Sequence, residues 1–528
     1  MNIYLTGMII SLAAYMLIAT VISRRIRTME DYYVAGRRAP VPLISGSLIA
    51  SFTGVGMFMG DPAVCYEGVF SSIMLMATLQ SSGYIIGAVF FGRYLRRSGV
   101  LTVAAFFEKR FCSRPLHILA SVTSIIMMTV YLLSVMQGIG TMMSVVTGLS
   151  YNLCIALALI VFTFISVMSG SRGVLITDTV MSFVFLLATV LSILYIAGYT
   201  GGWFPSVQKI AADPALTDLL SWHGRPGVLY DSGAENVAWG LLYGVVWMSV
   251  CMVGPWQSSR YLMAKDEHVV IRSAFPAVIC VFLLEFTACM MAVFVNLINP
   301  SLTDSSQVLI WTAMHVMPGL LGVLLLTGVL AAGISSATTF LSLIGTSVAN
   351  DILYKKSENR ILTGRIAMIV CALVVLGITI TNPPAVFWVM YMGSSIVAAS
   401  WLPVAIGAIA SRRLTKAGAF AGMLTGFLVC FLLRLITGVV GANLPVWFEP
   451  SLAGMCCNTL AMVIVSLFTK PTAEEQAART ALFVAPPETG DAKAVRLTMR
   501  AAKISLLAGV VIALVLIAFW ALPYLTAV

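Results

Sequence analysis

The sequence predicts an all-α polytopic membrane protein. Three observations carry that prediction: the composition, a recurrence of apolar stretches, and the placement of the basic residues. Apolar residues make up 60% of the 528 and charged residues only 10%, where a soluble domain has about 25% charged. Stretches of about 20 apolar residues, each long enough to cross a bilayer, recur fourteen times. They lie at approximately 3–22, 41–66, 70–92, 116–147, 152–168, 174–198, 237–256, 270–297, 318–346, 361–381, 384–409, 417–437, 450–469 and 502–524. All but three of the 31 lysines and arginines, including Arg25, Arg27, Arg172, Arg260, Lys355 and Lys356, are assigned to alternate connections; the exceptions are Lys209, Arg225 and Arg434. A miscounted helix would scramble that alternation. The positive-inside bias then places the basic loops in the cytoplasm and both termini outside, as in a bacterial-type inner membrane.

The same features exclude other classes. The net charge of +10 sits beside membrane spans, which is the signature of topology and not of nucleic-acid binding. The N-terminus lacks a basic n-region and a small-residue cleavage site, so a cleaved signal peptide is not expected. Nine of the ten cysteines fall in or at the edge of spans, Cys112 is in a basic loop, and none has metal-ligand spacing; they read as small buried apolar residues. His117, His223, His268 and His315 are scattered, and no Walker sequence is present, so neither an enzyme nor ATP hydrolysis is expected, and no organic cofactor. The expected partners are the lipid bilayer, a small solute and a cation.

Taken in order, residues 1–40 hold the first span and a basic loop. The second span carries Gly54, Gly56, Gly60 and Pro62, which weaken or interrupt a helix. The basic-side stretch 101–111 has apolar residues at helical spacing and reads as a short amphipathic helix at the inner surface. The loop 199–236, rich in Gly, Pro and Trp, reads as an outer cap. The seventh span is interrupted at Gly254-Pro255, followed by Trp256-Gln257-Ser258-Ser259. Residues 410–528 hold the last spans, with a polar linker at about 470–500. The two interrupted spans are five helices apart, so 41–198 and 237–409 read as two inverted five-helix repeats. Irregular backbone survives in a membrane only where it is buried or lines a cavity, and matched interruptions in two halves point to a transporter's binding site.

The ninth span holds Gly328-Val329-Leu330-Ala331-Ala332-Gly333-Ile334-Ser335-Ser336-Ala337-Thr338-Thr339. Ser335 and Ser336 follow Ala332 by three and four residues and share its helical face. Hydroxyls and carbonyls are hard oxygen ligands suited to an alkali cation. Small residues and hydroxyls also let membrane helices pack closely, and the matched interruptions shift the balance toward an ion site.

Several motifs in this order and spacing resemble the sodium:solute symporter family, which includes the bacterial proline and pantothenate symporters and the sodium/glucose symporters. They are Asp31-Tyr32-Tyr33-Val34-Ala35-Gly36-Arg37, Ser47-Leu48-Ile49-Ala50-Ser51, and Gly99-Val100-Leu101-Thr102 leading into Phe106-Phe107-Glu108-Lys109-Arg110-Phe111. They continue with Thr177-Asp178, Trp247, Pro255, Arg260-Tyr261-Leu262-Met263-Ala264-Lys265, the Ala331–Ser336 strip, and Asn350-Asp351-Ile352-Leu353-Tyr354. The resemblance implies the leucine-transporter fold and inward, sodium-driven uptake by alternating access. It implies a sodium site made of the carbonyls of Ala50, Thr53 and Ala332 with the hydroxyls of Ser335 and Ser336, and an inner exit route for the ion past Asp178. Phe52 departs from the Asp or Asn that relatives carry, and Gly170-Ser171-Arg172-Gly173 departs from a Gly-Gly pair.

The solute is less legible. Met57 and Met76 stand where sugar symporters have polar groups, and the fourth span lacks the Arg of sialic acid relatives, so a monocarboxylate, amino-acid-like or vitamin-like metabolite is expected over a hexose. The candidate pocket residues are Phe52, Gly54, Met57, Met76, Gln80, Gln137, Trp256, Gln257 and Tyr391, each of which ordinary packing also explains. Asp61 and Glu67 are expected in a water-exposed vestibule. Glu285, midway along the eighth span, is expected to carry protons, to pair with Arg434, or to be a neutral structural acid; an intramembrane acid is functional by default. Proton coupling is the alternative within transport. A transporter-like sensor is the alternative outside it, and the short tail after residue 470 argues against that.

Overall fold

A computed structural model describes residues 3–24, 28–353, 359–381, 386–440 and 444–527. Arg25, Arg27, Tyr354, Lys355 and Lys356 lie outside the described residues. Helix dominates, and among the described residues the only β-type pairing is an isolated parallel bridge between Ala39 and Ala264. Among the described residues thirteen helices are long and apolar enough to cross a membrane, and the bent pair Val41–Phe52 and Gly56–Glu67 makes a fourteenth span with a 50° break. These are the fourteen segments expected from hydropathy.

Five of these spans recur below: the third (Phe70–Ser98), fourth (Arg114–Thr147), sixth (Gly170–Tyr199), seventh (Gly233–Met263) and eighth (Glu267–Val295). So do the ninth (Gly319–Ile352), eleventh (Trp388–Ala410), twelfth (Lys416–Thr437) and thirteenth (Pro450–Phe468). Burial separates centre from rim. The seventh, eighth, ninth and eleventh spans are 72–83% buried, whereas the first, tenth, twelfth, thirteenth and last are 6–28% buried. The rim exposes large apolar side chains, among them Leu467, Phe468, Leu506 and Leu507, as a surface in hydrocarbon requires. Cys456, also exposed, lies on that rim, so not every cysteine is buried as expected.

Both interruptions occur where the sequence places them. In the second span the helix ends at Phe52, Thr53 turns out of helical geometry (ψ 77°), and the Gly54 amide donates to the Phe52 carbonyl at 2.7 Å. A wide turn over Gly56–Gly60 leads into Asp61–Glu67, with Pro62 in the first turn, where its missing N–H is harmless. In the seventh span Gly254 adopts extended geometry (ψ 131°) and Pro255 begins the shorter helix Pro255–Met263. The corner between the fifth and sixth spans is Gly170, at φ 53°, where a Cβ would come within 2.7 Å of the Tyr32 ring. Only glycine fits there.

The bundle end carrying the basic connections is sealed by polar contacts. Thr102 caps the helix Val103–Phe111 by accepting from the Ala105 amide at 3.1 Å. Phe106, Phe107, Phe111 and Arg110 are buried, so this helix is wedged under the bundle instead of lying on a membrane surface. Arg110 Nε donates to the Ala408 carbonyl at 2.6 Å, and burial beside Arg479 lowers its guanidinium to about 10. His117 is not isolated: Nδ1 meets Glu108 and Nε2 lies 2.9 Å from Asp351, which also accepts from Thr102 Oγ1 at 2.7 Å. The polar segment after residue 470 contains the helix Ala473–Phe483, begun by a capping box between Thr472 and Glu475. At the opposite end, the helix Trp203–Ala212 and the turn after it are held by the last span. Trp203 Nε1 donates to the Phe519 carbonyl at 2.7 Å and Trp520 Nε1 to the Leu220 carbonyl at 3.2 Å.

Candidate functional site

The broken second span faces the hydroxyl strip of the ninth. A Cβ on Gly54 would lie 3.0 Å from Ser336 Oγ and 3.6 Å from Tyr131 Oη, so the absent side chain is what lets the break approach the serine. Ala50, Thr53, Ala332, Ser335 and Ser336 are all fully or almost fully buried. Thr53 Oγ1 is used locally, donating to the Ile49 carbonyl at 2.8 Å.

Ser335 ties this region to a buried ion pair. Its Oγ donates to Asp178 Oδ1 at 2.7 Å. Asp178 Oδ2 accepts from Ser47 Oγ at 2.6 Å and from Arg260 Nη2 at 2.9 Å. Arg260 in turn donates from Nε to Ser47 Oγ at 3.0 Å and from Nη2 to Thr339 Oγ1 at 2.7 Å. Its Nη1 reaches the Trp256 carbonyl at 2.7 Å and Ser259 Oγ at 3.2 Å. Four spans meet in this network: the second, sixth, seventh and ninth. Both charges are essentially inaccessible to solvent, and a buried pair is tolerable only when its remaining donors and acceptors are satisfied.

Two sequence expectations change here. Asp178, which the resemblance puts on the ion's inner exit route, is fully buried and paired with Arg260. Arg260 was counted among the loop residues; it lies inside the short helix after the Gly254 break. Its sequence signal was an arginine four residues after Trp256, on the same helical face.

The candidate pocket residues converge on an aromatic cluster. Phe52 packs edge-on to Trp247 (5.6 Å between centroids) and Tyr84 (6.3 Å). Tyr131 contacts Trp247, Trp256 and Phe340 at 6.2, 5.4 and 4.9 Å. Tyr391 lies 5.9 Å from Trp247 and 4.7 Å from Tyr243, and its hydroxyl donates to Met76 Sδ at 2.9 Å. Gln257 Oε1 accepts from Ser51 Oγ at 3.3 Å and Tyr84 Oη at 3.4 Å. Met57 and Gln137 are buried. Tyr84, Tyr131, Tyr243, Trp247 and Phe340 were not singled out from sequence as lining residues, because an aromatic in an apolar span carries no signal of which face it occupies.

The acids are also rearranged. Arg434 does not reach Glu285; it pairs with Glu449 and donates to Ser395 Oγ at 2.7 Å and Tyr243 Oη at 2.6 Å. Glu285 accepts instead from Gln80. Asp61 is 6% exposed and is no vestibule residue, whereas Glu67 is exposed and accepts from Ser305 Oγ at 2.6 Å.

Known proteins match this arrangement over most of its length. The model of the sodium:solute symporter family matches residues 32–426. The sodium/proline symporter of Salmonella typhimurium is 24% identical over 505 residues, covering 90% of this chain and 93% of that protein. Among solved structures, a substrate-bound, outward-open sodium-coupled sialic acid symporter superposes with a TM-score of 0.72 at 17% identity, covering 89% of this chain and 98% of that one. Mhp1, a nucleobase-cation-symport-1 family transporter solved closed around bromovinylhydantoin, gives 0.55 at 13% identity, with coverages of 86% and 99%. The fold is that of the leucine transporter, and the chain belongs to the sodium:solute symporter family.

Proposed function

We propose that this sodium-coupled symporter binds its ion between the break in the second span and the serine pair of the ninth, and its solute between the two broken spans. The ion ligands are the Ala50, Thr53 and Ala332 carbonyls and the Ser335 and Ser336 hydroxyls. The observation that supports this most is the Ser335–Asp178 hydrogen bond beside the Gly54–Ser336 approach. A serine hydroxyl has one proton and two lone pairs. Ser335 gives its proton to Asp178, so its lone pairs are turned outward to a cation. Asp178 thereby orients the ligand and makes its oxygen more electron-rich, as outer-shell carboxylates do for metal ligands. Arg260 holds Asp178 in place.

The solute pocket comprises Phe52, Gly54, Met57, Met76, Gln80, Gln137, Trp256, Gln257 and Tyr391. Its aromatic and thioether walls suit a small amino-acid-like metabolite, or another with an apolar part, over a hexose. The basic end of the bundle faces the cytoplasm and both termini lie outside, in a bacterial inner membrane, so that a sodium gradient drives uptake. Proteoliposomes loaded without sodium test this. Solutes selected by a sodium-dependent thermal-shift screen accumulate when sodium is added outside and not when potassium replaces it. Equal accumulation with potassium overturns the reading.

A further inference from the structure

A second acidic site lies in the membrane and is built unlike the first. Asp61, on the far side of the break in the second span, and Glu285, in the eighth span, are 6% and 0% exposed. The helix Asp61–Glu67 packs against the eighth span, which brings the two acids within electrostatic range of one another. Among the described residues, neither carboxyl group belongs to an ion pair. Glu285 Oε2 accepts from Gln80, but Glu285 Oε1 and Asp61 Oδ1 are buried acceptors with no hydrogen-bond partner. A buried acid without a counter-charge is expensive in a membrane and marks a functional site.

What surrounds the pair narrows its ligand. Both acids lie within electrostatic range of the Tyr131 and Tyr391 hydroxyls, at the edge of the aromatic cluster around Trp247. A bare divalent ion would want a shell of about six oxygens. Here, among the described residues, no group of three or more His, Cys, Asp or Glu side chains is arranged to hold a metal. Two unfilled carboxyl oxygens in the neighbourhood of Tyr131 and Tyr391 match an organic cation instead. An amino group supplies N–H donors to the oxygens, and any ammonium is attracted to ring faces by about 0.5–2 kcal/mol.

We propose that Asp61 and Glu285 form the counter-charge for a solute that carries a protonated amine or a quaternary ammonium, with its cationic centre between these carboxyl groups and the Tyr131, Trp247 and Tyr391 rings. This rests on the solute site proposed above and narrows its substrate class. Gln80 then acts by holding Glu285 in position. A simple monocarboxylate, which would meet like charge, is the class this site rejects, whereas an amino acid is retained through its ammonium group.

The full chain in detergent with sodium is the test material. The probes are choline, alkylamines and amino acids, each paired with the carbon isostere that lacks the positive charge, such as 3,3-dimethylbutan-1-ol for choline and cyclopentanecarboxylate for proline. Thermal stabilisation in sodium is expected only from charged members. In Glu285→Gln and in Asp61→Asn the protecting ligand is expected to bind about tenfold or more weakly, while stabilisation by sodium alone, which reports folding and the ion site, is kept. Protection by monocarboxylates, sugars or the neutral isosteres, protection by no ammonium compound, or protection that survives both substitutions overturns the proposal. So does a Glu285→Gln variant that alters only the pH dependence of uptake, which would assign the pair to protons. Failure of sodium alone to stabilise the wild type instead strikes the ion site, and is read in the same experiment.

Discussion

Two acidic sites sit in the same bundle and meet its low dielectric in opposite ways. Asp178 is closed: both oxygens accept hydrogen bonds, from Ser335, Ser47 and Arg260, and its charge is matched by a guanidinium that is itself anchored at Thr339, Ser259 and the Trp256 carbonyl. Asp61 and Glu285 are open: Glu285 accepts from Gln80, one oxygen of each acid has no hydrogen-bond partner, and among the described residues neither pairs with a basic side chain. A satisfied network holds a fixed geometry, whereas unsatisfied acceptors stay available for something that arrives. The difference separates a group that builds a site from groups that receive a ligand.

That contrast is most exposed at Arg260. Arg260→Ala strands Asp178 as an unpaired buried acid and is expected to lower stability by about 3–5 kcal/mol. The double variant with Asp178→Asn recovers a large part of that loss. Denaturant unfolding of the two purified variants checks it, and equal losses in single and double would show that the charges are not coupled.

Next in size is the ion site. Ser335→Ala and Ser336→Ala each remove a proposed ligand oxygen and are expected to weaken sodium binding about tenfold, the equivalent of about 1.4 kcal/mol. Gly54→Ala places a methyl group 3.0 Å from Ser336 Oγ. Crowding of this kind costs about 1–3 kcal/mol when the neighbours cannot move, and here it is expected to appear as weaker sodium affinity. Sodium titrations followed by tryptophan fluorescence, which report on Trp247 and Trp256, measure all three. The smallest expected loss is at the open site: Glu285→Gln, replacing a buried acid that has no counter-charge by a neutral group, is expected not to lower unliganded stability. A loss as large as that of Arg260→Ala would mean that Glu285 is as tightly paired as Asp178.

Much of the architecture was legible in the chain. Fourteen spans follow from hydropathy because a bilayer requires long apolar helices, and the breaks at Thr53–Val55 and Gly254 follow from Gly and Pro in matched positions. The hydroxyl pair was legible because adjacent hydroxyls stand out in an apolar span. The pairings were not. Arg260 lies 82 residues from Asp178, and an arginine near the end of a span reads as a loop charge until packing shows its face. Asp61 likewise reads as a vestibule residue beside Glu67, because one-dimensional position near a span end does not reveal that the eighth span covers it. Glu285 and Arg434 are opposite in sign and invited pairing, but Glu449 lies closer to Arg434 once the twelfth and thirteenth spans pack together.

The most direct test of the ion site is a sodium titration of thermal stability for the wild type, Ser336→Ala and Glu285→Gln, with potassium as the control. Sodium-specific stabilisation in the wild type and in Glu285→Gln, lost or shifted about tenfold in Ser336→Ala, is the predicted result. Stabilisation by potassium equal to that by sodium, or a sodium response in Ser336→Ala indistinguishable from wild type, would contradict it.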